Sequence, residues 1–286
     1  RYQCRRELSR ISHTFFNYAV QVEAFGHLFC QWDDGSVTPA SVYTQAQRMV
    51  VVHQCAIPPG IAPTLTHVRV GQRDTVWSLS LPLCAVPTVV YDVTVCAGPL
   101  FGTVAPDLLI EWIELNRRQW GVGRFVLYER DPAATHLSSL LSWYVANGYV
   151  KIVPWQQLVP VAATAPMSDL EQHQEYFDQV LMYNHCLNRY RSTSRWMLNL
   201  DSDEILVSTG SKTLVDLLRS RGQFNKTGFR LSTVAHTFGS SSISAPGLVR
   251  RHQLRQLHAI SAPLWGRPKT IFQPQYVNFA WIHDVS

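Results

Sequence analysis

The feature that most constrains the fold of this chain is a change in the spacing of apolar residues near Val89. Before this point, short runs such as residues 77–83 alternate apolar and polar side chains with the period of two that is typical of half-buried strands. After it, apolar runs alternate with segments of helical period. Strand–helix alternation is typical of a parallel sheet covered by helices. The sequence therefore predicts a small β-rich domain over residues 1–88 and an α/β domain over residues 89–286.

The α/β part can be divided into individual elements. The predicted strands cover residues 89–97, 124–128, 149–153, 195–200 and 229–238, and a loop is predicted over residues 98–102. The predicted helices cover residues 106–121, 135–147 and 170–191. Pro106 and Gly121 are typical boundary residues for the first helix, and a hydroxyl side chain is expected to cap the second. Because parallel strands bring their carboxyl ends to one edge of a sheet, we expect a ligand site at that edge.

Composition and charge exclude several classes of protein. Hydrophobic residues make up 46% and charged residues 16% of the chain, which excludes a disordered tail or a highly charged scaffold. No apolar run reaches the roughly 18 residues of a membrane-spanning helix. After residue 216 there are nine Lys and Arg residues against one acid, which suits an anionic ligand or, equally, a solvated basic face. Nucleic acid is not an expected partner, because the chain has no Lys/Arg run and no recognised binding motif.

The six cysteines show neither a C-x-x-C pair nor the spacing of a zinc site. Four of them lie in the β-rich part, namely Cys4, Cys30, Cys55 and Cys84. Such clustering predicts disulfides in a secreted protein and buried thiols in a cytosolic one. We predict at least one disulfide among these four, and we expect Cys96 and Cys186 to stay reduced and buried. With the glycosylation sequon at Asn225, the cysteines favour the secretory pathway.

The main candidate for chemistry is an apolar strand that ends in an Asp-x-Asp motif, formed by Asp201 and Asp203. Two carboxylates at a strand end can converge on one cation, and hard oxygen ligands suit Mg²⁺ or Mn²⁺, which also hold diphosphates. An acidic turn that caps the next segment is the alternative. A metal-dependent phosphohydrolase would use similar acids, but no Asp-x-Asp-x-Thr nucleophile and no second His/Asp metal cluster accompanies them.

Several stretches, in this order, resemble those of one enzyme family. They cover residues 92–96, 99–102, 111–114, 121–128, 152–155, 184–187, 200–204, 269–271 and 281–285. Their layout resembles that of nucleotide-sugar glycosyltransferases with the A-type fold, and more specifically family 92 glycosyltransferases, which include plant galactan synthases. The resemblance covers residues 89–286. Residues 1–88 resemble, in character only, the carbohydrate-binding-like domain that precedes the catalytic domain in plant members.

This resemblance implies transfer of galactose from UDP-galactose to a glycan or polysaccharide acceptor, with inversion to a β linkage and dependence on Mn²⁺. It also implies a type II membrane protein of the Golgi lumen, whose N-terminal anchor lies outside these 286 residues. The alternative is a non-catalytic carbohydrate-binding protein built on an inactive transferase fold. The oligomeric state is not indicated.

The resemblance further assigns a metal site and a donor site. Asp203 is expected to bind the metal directly and His283 to be a third ligand, with a core histidine as the alternative. Asp201 is expected to join the metal site by reaching the ribose or a metal-bound water, and Lys269 to neutralise the diphosphate. The other assigned donor contacts are Pro99, Glu129, Gln179, Asn184 and Arg267. The alternative for Gln179 and Asn184 is that they belong to a polar surface of the helix. The alternative for Arg267 is an exposed, solvated side chain.

Aromatic side chains are the candidate acceptor contacts, because their rings stack on the apolar faces of sugars. The candidates are Trp155, Phe238 and Trp281. Phe238 ends a predicted strand near the place where the A-type fold holds the acceptor. Burial in the core is the alternative interpretation for each of the three.

The catalytic base is the least constrained assignment. An inverting transfer needs a group that takes the proton of the acceptor hydroxyl. No Asp or Glu occurs between Leu217 and His283, so the segment that often supplies this group offers none. The first candidate is His236 and the second is Asp284. Further alternatives are an acid of the helix at 171–178 or one outside these residues. Neighbouring strand residues point to opposite faces, which argues against His283 and Asp284 reaching one site.

Overall fold

A computed structural model describes the chain over residues 10–14, 28–44, 50–55, 67–72, 78–82, 90–100, 105–129, 136–155, 167–205, 212–221, 230–232, 238–239, 254–255 and 269–281. The chain divides into two units near residue 90. One unit comprises residues 1–90 with 187–193, and the other comprises residues 91–186 with 194–286. That residues 1–88 form a domain of their own stays a prediction.

The first unit contains a six-stranded antiparallel sheet. Its strands are β1 (Arg10–Thr14), β2 (Leu28–Trp32), β3 (Val37–Thr44), β4 (Val50–Cys55), β5 (His67–Gln72) and β6 (Ser78–Pro82). They are arranged in the order β1-β4-β3-β2-β5-β6, and every neighbouring pair is antiparallel. The period-two run at residues 77–83 corresponds to β6.

A turn and a disulfide fix the middle of this sheet. Between β2 and β3 the backbone N–H of Ser36 donates to Asp34 Oδ1 at 2.9 Å, and Gly35 takes a φ of 87°, which glycine adopts without strain. Cys30 of β2 and Cys55 of β4 form a disulfide. The predicted disulfide within the first group of cysteines is therefore confirmed, while Cys4 and Cys84 lie outside the described residues.

The remaining strands and the helices follow in chain order. The strands are β7 (Tyr91–Leu100), β8 (Arg124–Glu129), β9 (Val150–Pro154), β10 (Ser194–Asn199), β11 (Arg230–Ser232), β12 (Phe238–Gly239), β13 (Leu254–Arg255) and β14 (Thr270–Phe272). The helices are α1 (Pro106–Trp120), α2 (Leu137–Leu140), α3 (Ser142–Ala146), α4 (Met167–Tyr190) and α5 (Leu214–Arg221). Short 3₁₀ turns cover Arg191–Thr193 and Pro274–Tyr276. In the part of the chain that the structure describes, no helix is both long and apolar enough to cross a membrane.

The second unit is built on a mostly parallel sheet with the strand order β11-β14-β10-β7-β8-β9. The central strand β7 pairs in parallel with β8 and β10, and β9 pairs in parallel with β8. β14 runs antiparallel to both β10 and β11. The predicted mixed α/β fold with a mostly parallel sheet is confirmed. The carboxyl ends of β7, β8 and β10 therefore lie at one edge.

The core of this unit lies between the sheet and the apolar face of α1. Trp112 and Ile113 of this helix are fully buried, and the Trp112 ring packs edge-on against Phe125 of β8 with 5.3 Å between ring centroids. The helix ends where the sequence predicts, at Gly121, which has a φ of 71°. A Cβ atom there would lie 2.7 Å from Cγ2 of Val215, so both the backbone conformation and the packing require glycine.

Three predicted elements differ from the structure. The helix predicted over residues 135–147 is two short helices, α2 and α3, because the backbone of Leu141 leaves the helical region between them (φ −104°, ψ 17°). The first of them begins after His136, which makes no side-chain capping bond, so the expected hydroxyl cap is wrong. The strand predicted over residues 229–238 is also wrong, since β11 and β12 belong to different sheets. β7 continues to Leu100, where a loop was predicted from residue 98.

The prediction for Cys96 and Cys186 is wrong in one respect. Both side chains are fully buried as expected, but they form a disulfide with 6.3 Å between the Cα atoms. Cys96 lies on β7 and Cys186 on α4, and the packing of this helix on the sheet brings the two within the usual range of a disulfide. The two residues are 90 positions apart, so their spacing in the sequence gave no signal of the contact.

Candidate functional site

The acidic motif forms a turn at the carboxyl end of the buried strand β10. The backbone N–H of Leu200 donates to the carbonyl of Cys96 on β7, which holds the end of the strand in the sheet. The N–H of Glu204 then donates to the carbonyl of Asp201 at 3.0 Å and closes a four-residue turn. Within this turn Asp203 is exposed, whereas Asp201 and Glu204 are partly buried. The motif therefore presents one carboxylate to solvent and turns two towards the protein.

The Asp201 carboxylate accepts three hydrogen bonds from side chains. Its Oδ1 accepts from Gln179 Nε2 at 2.9 Å and from the Tyr183 hydroxyl at 3.1 Å, and its Oδ2 accepts from Lys269 Nζ at 2.7 Å. Gln179 Nε2 also lies 2.8 Å from the Tyr183 hydroxyl. Gln179 and Tyr183 are four positions apart on α4, so they share one face of the helix. This face is aimed at the first acid of the motif.

Glu204 is held from three directions. Its Oε2 accepts from the backbone N–H of Asp201 at 3.0 Å and from Lys269 Nζ at 2.9 Å. Its backbone carbonyl accepts from the indole N–H of Trp112 at 2.7 Å. Because Trp112 belongs to α1, the turn is tied to the core on one side and to Lys269 on the other. The roles of Glu204, Trp112 and Tyr183 in holding this turn were not predicted from the sequence.

The pairing of β14 with β10 accounts for the position of Lys269. Leu198 lies opposite Ile271 in the antiparallel register, so Lys269, which directly precedes β14, lies next to the end of β10. Burial opposes the charge of Lys269, but the negative charges of Asp201 and Glu204 outweigh it and raise the pKa of the ammonium. Lys269 therefore carries its charge at neutral pH although it is only 4% exposed.

Burial also sets the properties of the two neighbouring acidic groups. It raises the pKa of Glu204, an effect that the positive charge of Lys269 opposes. It also raises the pKa of the Tyr183 hydroxyl well above its usual value, and the negative charge of Asp201 adds to the shift. Tyr183 is therefore a neutral hydrogen-bond donor to Asp201 over the whole physiological range.

One acid of this turn, Asp203, is suited to bind a divalent cation. The exposed Asp203 offers hard carboxylate oxygens of the kind that Mg²⁺ and Mn²⁺ prefer. A carboxylate has about four lone-pair positions, of which Asp201 uses three, so it could contribute one further contact through Oδ2. Among the described residues no three His, Cys, Asp or Glu side chains cluster as a metal site. The predicted third ligand, His283, lies outside those residues.

Two of the predicted donor or acceptor contacts lie at the ends of β8 and β9. Glu129, the last residue of β8, is 3% exposed, and its Oε1 accepts from the backbone N–H of Leu137 at 3.2 Å. Trp155 directly follows β9, and its ring packs edge-on against Tyr128 and His185 at 5.3 and 5.7 Å between centroids. Its indole N–H is buried and has no acceptor within the described parts of the chain. Both side chains thus lie at the carboxyl edge of the sheet.

Two asparagines hold the segment that precedes His283. Asn184 of α4 is fully buried; its Nδ2 donates to the carbonyl of Ala280 at 2.7 Å, and its Oδ1 accepts from the N–H of Ala280 at 3.0 Å. Asn199 at the end of β10 donates to the carbonyl of Trp281 at 3.2 Å. Asn184 pairs with this backbone as a neighbouring strand would, and so fixes the chain three residues before the predicted metal ligand.

Some of the predicted site residues lie close together in the structure, and others lie outside the described residues. Asp201, Gln179 and Lys269 are in direct contact, Asp203 belongs to the same turn, and Asn184 lies on the next turn of the helix that carries Gln179. Pro99, near the end of β7, and Trp281 are partly exposed. The roles assigned to all of these residues stay predictions. The predicted site residues outside the described part of the chain are His236, Arg267, His283 and Asp284, and the side chain of Phe238 is also outside it.

Several glycosyltransferases of a plant and of a nematode resemble this chain at low sequence identity. Galactan beta-1,4-galactosyltransferase GALS3 of Arabidopsis thaliana is 27% identical over 138 residues, which are 48% of this chain and 25% of that protein. GALS2 of the same plant is 24% identical over 182 residues, covering 57% of this chain and 32% of that protein. A glycosyltransferase family 92 protein of Caenorhabditis elegans is 19% identical over 264 residues, covering 87% and 49%. The chain thus matches half or less of the length of each of these relatives.

A model of one protein family covers the whole α/β part of the chain. The model for glycosyltransferase family 92 matches residues 91–286, which begin at the first residue of β7 and include the acidic turn, Lys269 and the segment held by Asn184. This match extends over more than half of the sequence and agrees with the resemblance found in its motifs. The chain belongs to glycosyltransferase family 92.

Proposed function

We propose that this protein is a metal-dependent, inverting glycosyltransferase that transfers galactose from UDP-galactose to a glycan acceptor in β linkage. The observation that carries the proposal is the acidic turn after β10, in which Asp201 and Glu204 are partly buried against Lys269 and Asp203 is exposed at the carboxyl edge of the sheet. This edge is where parallel α/β sheets bind their ligands. An exposed carboxylate on a turn held in place in this way suits a cation that carries a diphosphate.

The strand order supports assignment of the second unit to the A-type glycosyltransferase fold. Four parallel strands in the order β10-β7-β8-β9 bring the carboxyl ends of β7 and β8 to the same edge of the sheet as the acidic turn. A nucleotide would then bind across the ends of β7 and β8, near Pro99 and Glu129, with its diphosphate directed to Asp203. Gln179 and Asn184 would serve this site by holding Asp201 and the backbone at Ala280.

The proposed metal is Mn²⁺, with Asp203 and His283 as ligands and Asp201 as a neighbour that can share one oxygen. Asp203 and His283 would hold the cation, which would supply Lewis-acid stabilisation of the charge on the departing UDP. The chain itself orients the carboxylate: Trp112, Lys269 and the two α4 side chains hold the turn by direct hydrogen bonds. Such preorganised groups need no rearrangement as charge develops. Arg267 would add positive charge on the same side.

On the acceptor side we propose aromatic contacts and a base. Phe238 and Trp281 would stack on the acceptor sugar, whereas Trp155 is largely enclosed by Tyr128 and His185. His236 remains our first candidate for the base that takes the proton of the acceptor hydroxyl, and Asp284 the second. The segment that carries Asp284 begins beside the backbone fixed by Asn184, which supports a position near the metal.

The proposed donor sugar and location rest on different observations. The two plant relatives are described as galactan beta-1,4-galactosyltransferases, which supports galactose and a galactan-like acceptor here. Two disulfides within the described residues support folding in an oxidising compartment, and the Golgi lumen is the proposed location. Attachment to the membrane would come from an anchor outside these 286 residues.

A product assay tests this proposal. The purified protein is incubated with Mn²⁺, β-1,4-linked galactan oligosaccharides and a panel of UDP-sugars, and the linkage of the product is determined by NMR. We expect elongation with UDP-galactose and a new β-galactosyl residue. Asp203→Ala should lose most of this activity, whereas Asp107→Ala, which changes an exposed acid in the first turn of α1, should keep it. Binding of the oligosaccharides with no transfer from any donor would instead support the non-catalytic alternative.

A further inference from the structure

The ammonium of Lys269 lies between two carboxylates of the acidic turn. Its Nζ is 2.7 Å from Asp201 Oδ2 and 2.9 Å from Glu204 Oε2. The Lys269 side chain is only 5% exposed, while the two carboxylates are 34% and 36% exposed. The charge that offsets both acids thus comes from the protein interior, and the solvent side of the turn is left to Asp203.

The shape of the turn brings like charges close together. Glu204 Oε2 accepts from the backbone N–H of Asp201, so the two acidic residues face each other across a four-residue turn. Two carboxylates this close repel each other strongly when partly withdrawn from water. The hydroxyl of Tyr183 and the amide of Gln179 are neutral donors to Asp201 and do not offset this charge. Among the described residues, the turn accepts hydrogen bonds from side chains of Trp112, Gln179, Tyr183 and Lys269, and of these four Lys269 carries a positive charge.

We propose that Lys269 is a positioning residue: it is the internal counter-ion of Asp201 and Glu204, and it holds the turn in the shape that exposes Asp203. In this role it does not contact the donor. The pairing of β14 with β10 fixes its backbone beside the turn. At least two of its three N–H donors are used within the protein, and burial of the side chain leaves little surface for a diphosphate. This differs from the sequence-based assignment of Lys269 to the diphosphate.

A charge-compensation experiment separates the two roles. Lys269→Met removes the counter-ion and leaves two unpaired, partly buried carboxylates. Adding Glu204→Gln removes one of those charges and keeps an amide oxygen that can accept from the N–H of Asp201. If Lys269 served only as a diphosphate ligand, the second change would not alter the stability lost or kept in the ligand-free protein. Lys151→Met, which alters an exposed lysine on β9, is the matched control.

Two measurements are made on each variant of the protein. The first is the midpoint of thermal unfolding without any ligand, which we expect to fall by at least about 4 °C in Lys269→Met, because two partly buried carboxylates lose their counter-charge. The second is UDP release from UDP-galactose at a temperature well below that midpoint, which we expect to fall about tenfold or more because the turn is misplaced. The double variant should recover most of both losses, and Lys151→Met should lose neither.

Opposite results would overturn the inference. If Lys269→Met keeps the wild-type midpoint and only its rate of UDP release falls, Lys269 is a donor ligand. If the double variant fails to recover the midpoint, whether or not the single variant folds, Lys269 is not the counter-ion of this turn. A single variant that melts early but is fully active while folded would reduce Lys269 to a purely structural role and contradict positioning.

The activity arm rests on the proposed function, whereas the unfolding arm does not. If the wild-type protein releases no UDP from any donor in the panel, the proposed function fails. The midpoints of the single and double variants then still decide whether Lys269 is the counter-ion. The two failures can thus be told apart.

Discussion

Asp201 and Asp203 are separated by one residue, yet they have different surroundings. Asp201 accepts hydrogen bonds from Gln179, Tyr183 and Lys269, whereas Asp203 is exposed on the same turn. The difference arises because the chain turns directly after β10, so only the first acid faces α4 and the start of β14. One acid is therefore part of the structure of the site, and the other is available to a ligand.

This difference predicts unequal effects of the two alanine substitutions on stability. Asp201→Ala removes one of the two carboxylates that contact the buried ammonium of Lys269 and the carboxylate that accepts from Gln179 and Tyr183, so we expect the free energy of unfolding to fall by about 3 kcal/mol. Asp203→Ala removes an exposed carboxylate and should change it by no more than about 0.5 kcal/mol. Chemical denaturation without metal or nucleotide measures both. Equal losses in the two variants would contradict the assignment of Asp201 to an internal network.

The hydrogen bonds of Asn184 lead to a second prediction about stability. Asn184→Ala removes both hydrogen bonds between this buried side chain and the buried backbone of Ala280. We expect a loss of about 2 kcal/mol or more in the free energy of unfolding. Asn147→Ala is the control, because Asn147 is exposed and donates to the carbonyl of Trp143 four residues earlier. Comparable losses in the two variants would show that Asn184 does not hold this segment.

At the scale of residues, the sequence predicted the acids but not what surrounds them. Asp201 and Asp203 could be recognised because an Asp-x-Asp after an apolar strand is a local pattern. Tyr183 and Trp112 could not, since their contacts to the turn join residues 18 and 92 positions apart. For Tyr183 the sequence did contain one signal. It lies four residues after Gln179 on a predicted helix, so a role for Gln179 would place Tyr183 on the same face.

At the scale of elements, the disulfide between β7 and α4 is expected to contribute strongly to stability. Cys96–Cys186 closes a loop of 90 residues and Cys30–Cys55 one of 25. In the chain-entropy model the longer loop contributes about 4 to 5 kcal/mol and the shorter about 3 to 4 kcal/mol. We therefore expect Cys96→Ala/Cys186→Ala to lower the free energy of unfolding of its own unit by at least as much as Cys30→Ala/Cys55→Ala lowers that of the other. Denaturation followed by probes in each unit measures both losses.

A chemical assay provides the control for this prediction. Non-reducing peptide mapping of the wild-type protein should yield one linked peptide pair that contains Cys96 and Cys186, and another that contains Cys30 and Cys55. Free thiols at Cys96 and Cys186 in protein secreted from an oxidising compartment would contradict the disulfide. They would restore the sequence-based expectation that these residues stay reduced.

Elements with a local signal were predicted more accurately than those fixed by distant contacts. α1 has a proline at its start, a glycine at its end and a clear apolar face, and its predicted bounds agree with the structure. The segment 135–147 lacks such signals at Leu141, where the helix is interrupted. β11 and β12 were merged into one strand because the partners that separate them, β14 and β13, lie far along the chain.

At the scale of the whole molecule, the alternation of strands and helices after Val89 was enough to predict a mostly parallel sheet. It could not supply the order of the strands or the antiparallel direction of β14, because these depend on which elements meet after the chain has folded. The direction of β14 matters, since it places Lys269 beside the acidic turn. Membership in glycosyltransferase family 92 agrees with the motifs, whereas the donor and the acceptor remain proposals.

Calorimetric titration with UDP can show whether Asp203 binds a cation that holds the nucleotide diphosphate, as we propose. We expect wild-type protein to bind UDP in the presence of Mn²⁺ and to bind it at least about tenfold more weakly in EDTA, because Asp203 would hold the diphosphate through a cation. Asp203→Ala should bind UDP weakly under both conditions, and Asp107→Ala should behave as wild type. Equal UDP affinity of the wild-type protein with Mn²⁺ and with EDTA would contradict the account.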